Sequence, residues 1–166
     1  MIRVAVHPRL VKTVSKLGPA VVGQAEEKLR QITAHFGEDL TDKVFALWGL
    51  AFKPQTDDMR EAPAIVIITE LIKRGARIQA YDPKAMDVAR RIFGLEPRLS
   101  YHKNNYEAAA GADALALVTE WTVFREPDFP RLKQILRQPI IFDGRNQYNH
   151  LRMEEMGFKY YCIGRK

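Results

Sequence analysis

The sequence predicts a three-layer α/β domain with a mostly parallel sheet, preceded by an N-terminal helix. Two observations lead to this prediction. Short apolar runs rich in strand-forming residues alternate along the chain with segments in which apolar residues recur at helical spacing. The connections between these segments are short, and strands that alternate with helices in this way form parallel sheets covered on both faces.

The first part of the chain contains an amphipathic helix, a strand and an apolar helix. Apolar residues recur at helical spacing over residues 20–36, and a glycine follows as a stop signal. Residues 43–48, KVFALW, are short and apolar, which is typical of a strand buried on both faces. The apolar helix over residues 62–74 has Pro63 in its first turn and Gly75 just past its end, as helices commonly do.

The rest of the chain repeats this alternation, so the expected fold is Rossmann-like. Short apolar runs predict further strands at residues 77–82, 99–102, 114–119, 139–143 and 160–163. Helical spacing, ended in two cases by a glycine, predicts helices at residues 85–93, 106–110, 131–137 and 151–156. Ligands of parallel sheets bind outside the carboxyl ends of the strands. Four side chains that follow strands are therefore expected on one rim: Lys53, Asp82, Glu120 and Arg145.

The composition is typical of one compact globular domain. The chain has 166 residues, of which 46% are hydrophobic, enough to bury one sizeable core. No apolar run approaches the roughly 20 residues that cross a bilayer, and no signal peptide is recognisable, so we expect no membrane partner. The single cysteine cannot form an internal disulfide, which favours a cytoplasmic location.

The charge distribution favours a small anionic ligand over a nucleic acid. The formal net charge is +6, from 26 basic and 20 acidic residues. Nucleic-acid binding would require the basic residues to cluster on one face, whereas here they are spread among acids along several elements.

The loop over residues 49–63, GLAFKPQTDDMREAP, carries the most chemistry in the chain. It connects a predicted strand to a helix N-terminus, where free N–H groups and the helix dipole attract anions. Lys53 and Arg60 are therefore candidates to bind phosphate or carboxylate. Three acids of the loop have capping of the following helix as their first interpretation and an interdomain contact as their second: Asp57, Asp58 and Glu61.

This loop is followed, in order, by AYDP at residues 80–83, ADALALVTEW at residues 112–121 and FDGRN at residues 142–146. Together these blocks resemble the C-terminal, UDP-binding domain of the UDP-glucose/GDP-mannose dehydrogenase family, and they are most similar to its UDP-glucose branch. The resemblance covers residues 25–166. The family oxidises UDP-glucose to UDP-glucuronate with NAD as the acceptor, so the resemblance implies a UDP-sugar as the ligand.

The resemblance also implies roles for individual residues. Phe52 and Lys53 match a pair that holds the substrate, and Arg145 matches an arginine that contacts the UDP-sugar. Arg60 matches an arginine that reaches NAD bound on another domain. Each residue also has an alternative without a ligand role. Lys53 could be an exposed loop lysine, Phe52 could fill the core, and Arg145 could form a salt bridge with Asp143. Asp82 could bind a ribose, although YDP is more often a turn.

The catalytic part of the family's chemistry is absent from the sequence. Neither the GxCxPKD motif, whose cysteine holds the aldehyde intermediate, nor a GxGxxG fingerprint is present. Cys162 lies in an apolar run, where a thiol behaves as a small hydrophobe, and the histidines lack metal-ligand spacing. We therefore expect no catalytic residue, no metal site and no tightly bound NAD.

The resemblance divides the chain into three regions. Residues 1–18 are a basic segment without assignment, residues 19–37 match a helix that links the two halves of the family enzyme, and residues 38–166 match the UDP-sugar-binding domain. The expected partners are UDP-glucose or a related nucleotide sugar, the missing NAD-binding domain, and a second copy of the chain. Without that domain, apolar surface is expected on the linking helix at Val21, Leu29 and Phe36.

Three hypotheses for function remain open at this point. The chain is a fragment that keeps the UDP-binding fold, or a free-standing nucleotide-sugar binding or regulatory module, or a general α/β interaction domain in which the motif is only structural.

Overall fold

The computed structural model describes residues 14 and 16–164. The basic segment assigned to residues 1–18 therefore lies largely outside the described residues. The strands are β1 (Val44–Trp48), β2 (Arg77–Tyr81), β3 (Leu99–Tyr101), β4 (Ala114–Leu117), β5 (Ile140–Asp143) and β6 (Lys159–Cys162). The helices are α1 (Pro19–Phe36), α2 (Pro63–Lys73), α3 (Met86–Phe93), α4 (Asn105–Ala109), α5 (Phe129–Ile135) and α6 (His150–Glu155).

The six strands form one sheet in the order β3-β2-β1-β4-β5-β6, and every neighbouring pair is parallel. The predicted Rossmann-like fold class is confirmed, and in the described residues the sheet is entirely parallel. The order of the strands reverses between β1 and β4. In parallel sheets the loops that leave the carboxyl ends of the strands at such a reversal run in opposite directions, so a crevice is expected between β1 and β4.

The side chains of β1 divide the core into two layers. Phe45 and Leu47 face the layer beneath α1, α2 and α3, whereas Ala46 and Trp48 face the layer beneath α4, α5 and α6. The period of two follows from the pleat of a strand. Because both faces of β1 are covered, its sequence is apolar throughout.

Helix α2 shows why local sequence predicts such elements well. Pro63 occupies its first turn, where a missing N–H has no cost, and Gly75 follows its end with φ at 97°. Nine of its eleven residues are buried, which explains the continuous apolar run.

Most boundaries lie within one residue of the prediction, whereas boundaries of helix α5 and strand β4 differ from it by two residues. Helix α5 begins at Phe129, earlier than predicted, since the side chain of Asp128 accepts a hydrogen bond from Arg131 N at 3.0 Å. Strand β4 ends at Leu117, earlier than predicted, since the chain then turns towards the crevice. A short 3-10 helix at Thr122–Phe124 was not predicted.

Helix α1 packs on its own domain, so the predicted apolar surface is wrong at Leu29, which is only 6% exposed. Phe36 and Val21 are half-buried against the same core layer. The ring of Phe36 lies 5.5 Å from that of Phe45. The apolar stripe of α1 faces α2 and β5 and therefore already has a partner within the chain.

None of the described helices combines the length and the apolar composition that crossing a membrane requires.

Candidate functional site

The crevice is closed at its base by a contact between the loops that follow β1 and β4. Gly49 has φ at 99°, and a Cβ atom built there would lie 2.4 Å from Thr119 Cβ. Thr119 Oγ1 donates a hydrogen bond of 2.6 Å to the carbonyl of Ala51. Only glycine allows this close approach with this backbone conformation, so the two loops are joined before they diverge around the site.

Arg145 extends from the loop after β5 and contacts both of these loops. Its Nε donates to Val118 O at 3.0 Å, and its Nη2 donates to Phe52 O at 3.2 Å. Glu120 Oε2 lies 3.0 Å from Nε as an ion pair without the alignment of a hydrogen bond. The Arg145 contact with Asp143 runs through its backbone N–H at 2.8 Å, whereas the alternative of a side-chain ion pair between them is wrong.

The Arg145 guanidinium keeps donors for a ligand. Nη1 makes no hydrogen bond with residues 14 and 16–164, and the side chain is 24% exposed. Because two loop carbonyls fix the orientation of the guanidinium, little side-chain freedom is left to lose when an anion binds.

Phe52 contacts Arg145 through its carbonyl, although these residues follow β1 and β5, which are separated by β4, and Lys53 is the next residue along the chain. Lys53 is exposed, and its Nζ lies 5.1 Å from the centroid of the Phe52 ring. Phe52 is half-buried, packs against the core, and accepts from Arg145 through its carbonyl. Phe52 therefore packs partly against the core and also lines a cavity, and its contact with a ligand stays a prediction.

Arg60 stands at the outer side of the same loop. It lines a cavity of about 300 Å³ with Phe52, Asp58 and Glu61. Its side chain is 89% exposed and forms a bidentate ion pair with Asp58, at 2.7 Å for the Nη2 contact. The hydrogen bonds from Arg60 lower the pKa of the Asp58 carboxyl.

The interpretation of Asp57, Asp58 and Glu61 as caps of α2 is wrong. The residue before the helix is Ala62, and no side chain accepts a hydrogen bond from the first turn. Proline at the first position removes one donor, and the N–H of Ile65 is directed to the carbonyl of Ala62 at 3.2 Å. The Asp58 carboxylate instead accepts hydrogen bonds from the backbone N–H and the guanidinium of Arg60.

Asp82 is fully buried at the end of β2 and organises the loops on that side. Its carboxylate accepts hydrogen bonds of 2.7 to 3.0 Å from the N–H groups of Leu50, Ala51, Lys84 and Ala85 and from the indole of Trp121. The bonds to Lys84 and Ala85 confirm the turn interpretation of YDP. Five donors occupy the acceptor sites of a carboxylate, which leaves no lone pair for a ribose.

Asp143 holds the corresponding position at the end of β5 and was not recognised from the sequence as an organising residue. Its carboxylate accepts from the N–H groups of Arg145, Gln147 and Tyr148, at 2.7 to 3.1 Å, and from the hydroxyl of Tyr160 at 2.5 Å. Burial and the bond to Asp143 raise the pKa of the Tyr160 hydroxyl, which therefore remains a donor. Asp143 thus fixes the backbone from which Arg145 extends.

Lys28 is the second residue that the sequence analysis missed. It extends from α1 and is only 4% exposed, and its Nζ donates to the carbonyls of Leu117 at 3.2 Å and Phe142 at 2.9 Å. Burial lowers its pKa to about 7, against the opposing effect of Asp143. A signal existed, since a lysine lies within the apolar stripe that includes Ala25, Leu29 and Ile32.

Cys162 is buried in β6, and its carbonyl accepts a hydrogen bond of 3.0 Å from Gln31 Nε2. No group of three or more His, Cys, Asp or Glu side chains in the described part of the chain could hold a metal ion.

Comparison with known protein families gives a match for this region. The UDP binding domain of the UDP-glucose/GDP-mannose dehydrogenase family matches residues 46–150. The chain is 50% identical over 126 residues to a UDP-glucose 6-dehydrogenase of Pseudomonas aeruginosa, covering 74% of this chain and 28% of that protein. It is 43% identical over 136 residues to the UDP-glucose 6-dehydrogenase of Rhizobium meliloti, covering 82% and 30%.

Solved structures agree with this match. A UDP-glucose dehydrogenase from Pyrobaculum islandicum superposes with a TM-score of 0.67 at 25% identity, over 83% of this chain and 29% of that one. An NDP-N-acetyl-D-galactosaminuronic acid dehydrogenase from Methanosarcina mazei gives a TM-score of 0.69 over 87% and 29%, and at 22% identity it shows the fold alone. The chain spans less than a third of the length of each of these relatives.

Proposed function

Because the chain belongs to the UDP-glucose/GDP-mannose dehydrogenase family and corresponds to its UDP-binding domain, we propose that the crevice between β1, β4 and β5 binds the UDP part of a nucleotide sugar. The observation that carries this proposal is the Arg145 guanidinium, which is held by two loop carbonyls while Nη1 makes no hydrogen bond with the described residues. UDP-glucose is the proposed ligand, since UDP-glucose 6-dehydrogenases are among the relatives.

Three residues have distinct roles in this proposal. Arg145 donates charge-assisted hydrogen bonds to the diphosphate, and its planar guanidinium suits the geometry of phosphate oxygens. Lys53, a flexible cation one residue beyond the carbonyl that holds Arg145, adds a second positive charge. Phe52 offers a ring face beside that lysine for contact with the sugar or base.

The oxidation itself is proposed only for the whole family enzyme. There two successive oxidations would convert the C6 alcohol of UDP-glucose to the carboxylate of UDP-glucuronate, and a molecule of NAD would be the acceptor for each. Arg60 is proposed to reach the NAD held by another domain, because its guanidinium is exposed and oriented by Asp58. This chain supplies no catalytic residue to the proposal, so its residues 38–166 bind substrate and its residues 19–37 link to the catalytic half. A homo-oligomer and a cytoplasmic location belong to the same proposal.

A free-standing nucleotide-sugar binding or regulatory module is the second candidate. It is favoured by α1, whose residues Leu29 and Ile32 are buried within the chain's own core. Both candidates share the ligand and differ in whether a catalytic half must be added.

A calorimetric titration of the isolated chain with UDP, UDP-glucose, GDP and NAD tests the proposal. We expect UDP and UDP-glucose to bind, GDP to bind more weakly and NAD to show no tight binding. UDP-glucose should bind without NADH formation when NAD is also present. Equal affinity for all four compounds would contradict a specific UDP site, and steady NADH production by the pure chain would contradict the assignment of the chemistry to other residues.

A further inference from the structure

Lys28 passes from α1 to a point beneath the crevice. Its amine lies between the ends of β4 and β5 and donates to Leu117 O and Phe142 O. Gly144 leaves the space for it, since a Cβ at that position would lie 2.6 Å from Lys28 Cε and 2.7 Å from Nζ. A buried amine with two carbonyl acceptors and a matching gap is a built feature of the packing rather than a loosely placed surface lysine.

The two strand ends that Lys28 contacts are those that hold Arg145. Leu117 precedes Val118, whose carbonyl accepts from Arg145 Nε. Phe142 precedes Asp143, whose carboxylate accepts from Arg145 N. Lys28 therefore fixes the peptide unit next to each of these two anchors.

We infer that Lys28 is a positioning residue for Arg145 and that it couples the seating of helix α1 to the binding of a diphosphate in the crevice. The inference rests on the proposed UDP-sugar site. When α1 is seated, Lys28 holds the ends of β4 and β5 at the separation that lets Arg145 reach Val118 and Phe52. When a diphosphate binds Arg145, the same arrangement is stabilised, so each event favours the other.

The charges around Lys28 give this coupling a pH dependence. The charged groups that act on its amine are Asp143, which favours the protonated form, and Arg145, which opposes it. Asp143 is bonded to the neutral Tyr160 hydroxyl, and Arg145 is paired with Glu120. With burial, the pKa of Lys28 falls to about 7. An anion on Arg145 offsets the positive charge and raises the pKa of Lys28, so the ligand binds the protonated form more tightly.

The test measures UDP-glucose affinity by calorimetry from about pH 6 to about pH 9. UDP-glucose is suitable because its diphosphate is esterified at both ends and does not titrate in this range. We expect the affinity of the wild-type chain to fall about five- to tenfold as the pH rises. Lys28→Met should bind more weakly at low pH and lose this fall, whereas Lys84→Met, on an exposed lysine after β2, should keep the wild-type profile.

A second variant and a ligand-free signal keep the inference testable. Gly144→Ala retains the lysine but pushes its amine from the carbonyls, and it should also weaken binding and shift the profile. In the chain without ligand, the Arg145 Nε–H resonance should shift in wild-type protein with a midpoint near 7 and should not do so in Lys28→Met.

The outcomes separate the two proposals. If wild-type protein does not bind UDP-glucose, the proposed function is wrong, and the Arg145 resonance alone decides on Lys28. If the Arg145 Nε–H resonance changes neither with pH nor in either variant, the inference is wrong. A folded Lys28→Met or Gly144→Ala chain with wild-type affinity and pH profile overturns it as well.

Discussion

Asp82 and Asp143 lie on opposite sides of the central strands β1 and β4, each one strand further out and each fully buried at a strand end. Asp82 is surrounded by neutral donors, namely four backbone N–H groups and the indole of Trp121. Asp143 accepts from three backbone N–H groups and from a tyrosine hydroxyl, and it acts on the buried amine of Lys28.

This difference indicates which side of the crevice has a fixed geometry and which side can be adjusted by charged or distant groups. On the Asp82 side, four backbone N–H groups and the Trp121 indole saturate the carboxylate, so its surroundings contain neutral donors only. On the Asp143 side, side chains from α1 and β6 complete the arrangement, and that side carries Arg145. A charge or a helix position can therefore influence the second side without disturbing the first.

The largest effect is expected for Asp82→Asn. An amide in place of the carboxylate turns an acceptor into a donor and leaves buried N–H groups without a partner. We expect the free energy of unfolding to fall by about 3 kcal/mol or more, measured by urea unfolding followed by circular dichroism. Asp57→Asn, on an exposed residue of the neighbouring loop, is the matched control. A loss as small as that of the control would mean that Asp82 does not hold the loops together.

An intermediate effect, on UDP affinity, is expected when a proposed ligand contact is removed. Arg145→Ala and Lys53→Ala should each weaken UDP binding by about 1.5 to 3 kcal/mol, because each removes a charge-assisted contact. Lys84→Ala removes an exposed cation on the Asp82 side and should leave the affinity unchanged. Calorimetric titration measures all three. Equal small losses would show that diffuse positive charge, rather than a defined site, attracts the nucleotide.

The smallest effect is the pH dependence of stability that Lys28 introduces. Its pKa is about 7 in the folded chain, against 10.5 for a lysine in water, so between these values the unfolded chain binds more protons. Stability contributed by this residue therefore rises with pH across that window and is flat below it.

Relative to Lys28→Met, the wild-type free energy of unfolding should increase by about 1 to 2 kcal/mol between about pH 7 and about pH 9. Urea unfolding of both proteins at several pH values measures this difference. Lys84→Met, which replaces an exposed lysine, is the control and should show no comparable change relative to wild-type protein. A constant difference between wild-type protein and Lys28→Met across the window would show that the lysine remains protonated in the folded chain.

The fold was largely predictable because its signals are local. An apolar run such as β1 and the proline and glycine that frame α2 carry their own structural information. The contact between Phe52 and Arg145 was also predictable, since parallel strands bring their carboxyl ends to one rim. Which ligand these residues bind stays a prediction.

The remaining features depend on contacts between distant parts of the chain. Lys28 binds carbonyls 89 and 114 residues away, and no local pattern specifies those partners. The caps predicted for α2 were wrong because Asp58 has a closer partner in Arg60. The packing of Leu29 depends on how α1 folds back on the sheet, which periodicity alone does not determine.

The contact between Gly49 and Thr119 limits how the crevice can close. A Cβ atom at Gly49 would not fit beside Thr119, so the two loops cannot approach further there. The 2.6 Å hydrogen bond from Thr119 Oγ1 to Ala51 O holds them together. The base of the crevice is thus a rigid corner. Any adjustment that accompanies the proposed nucleotide binding is therefore expected outside this base, at exposed residues of the loop such as Lys53 and Arg60.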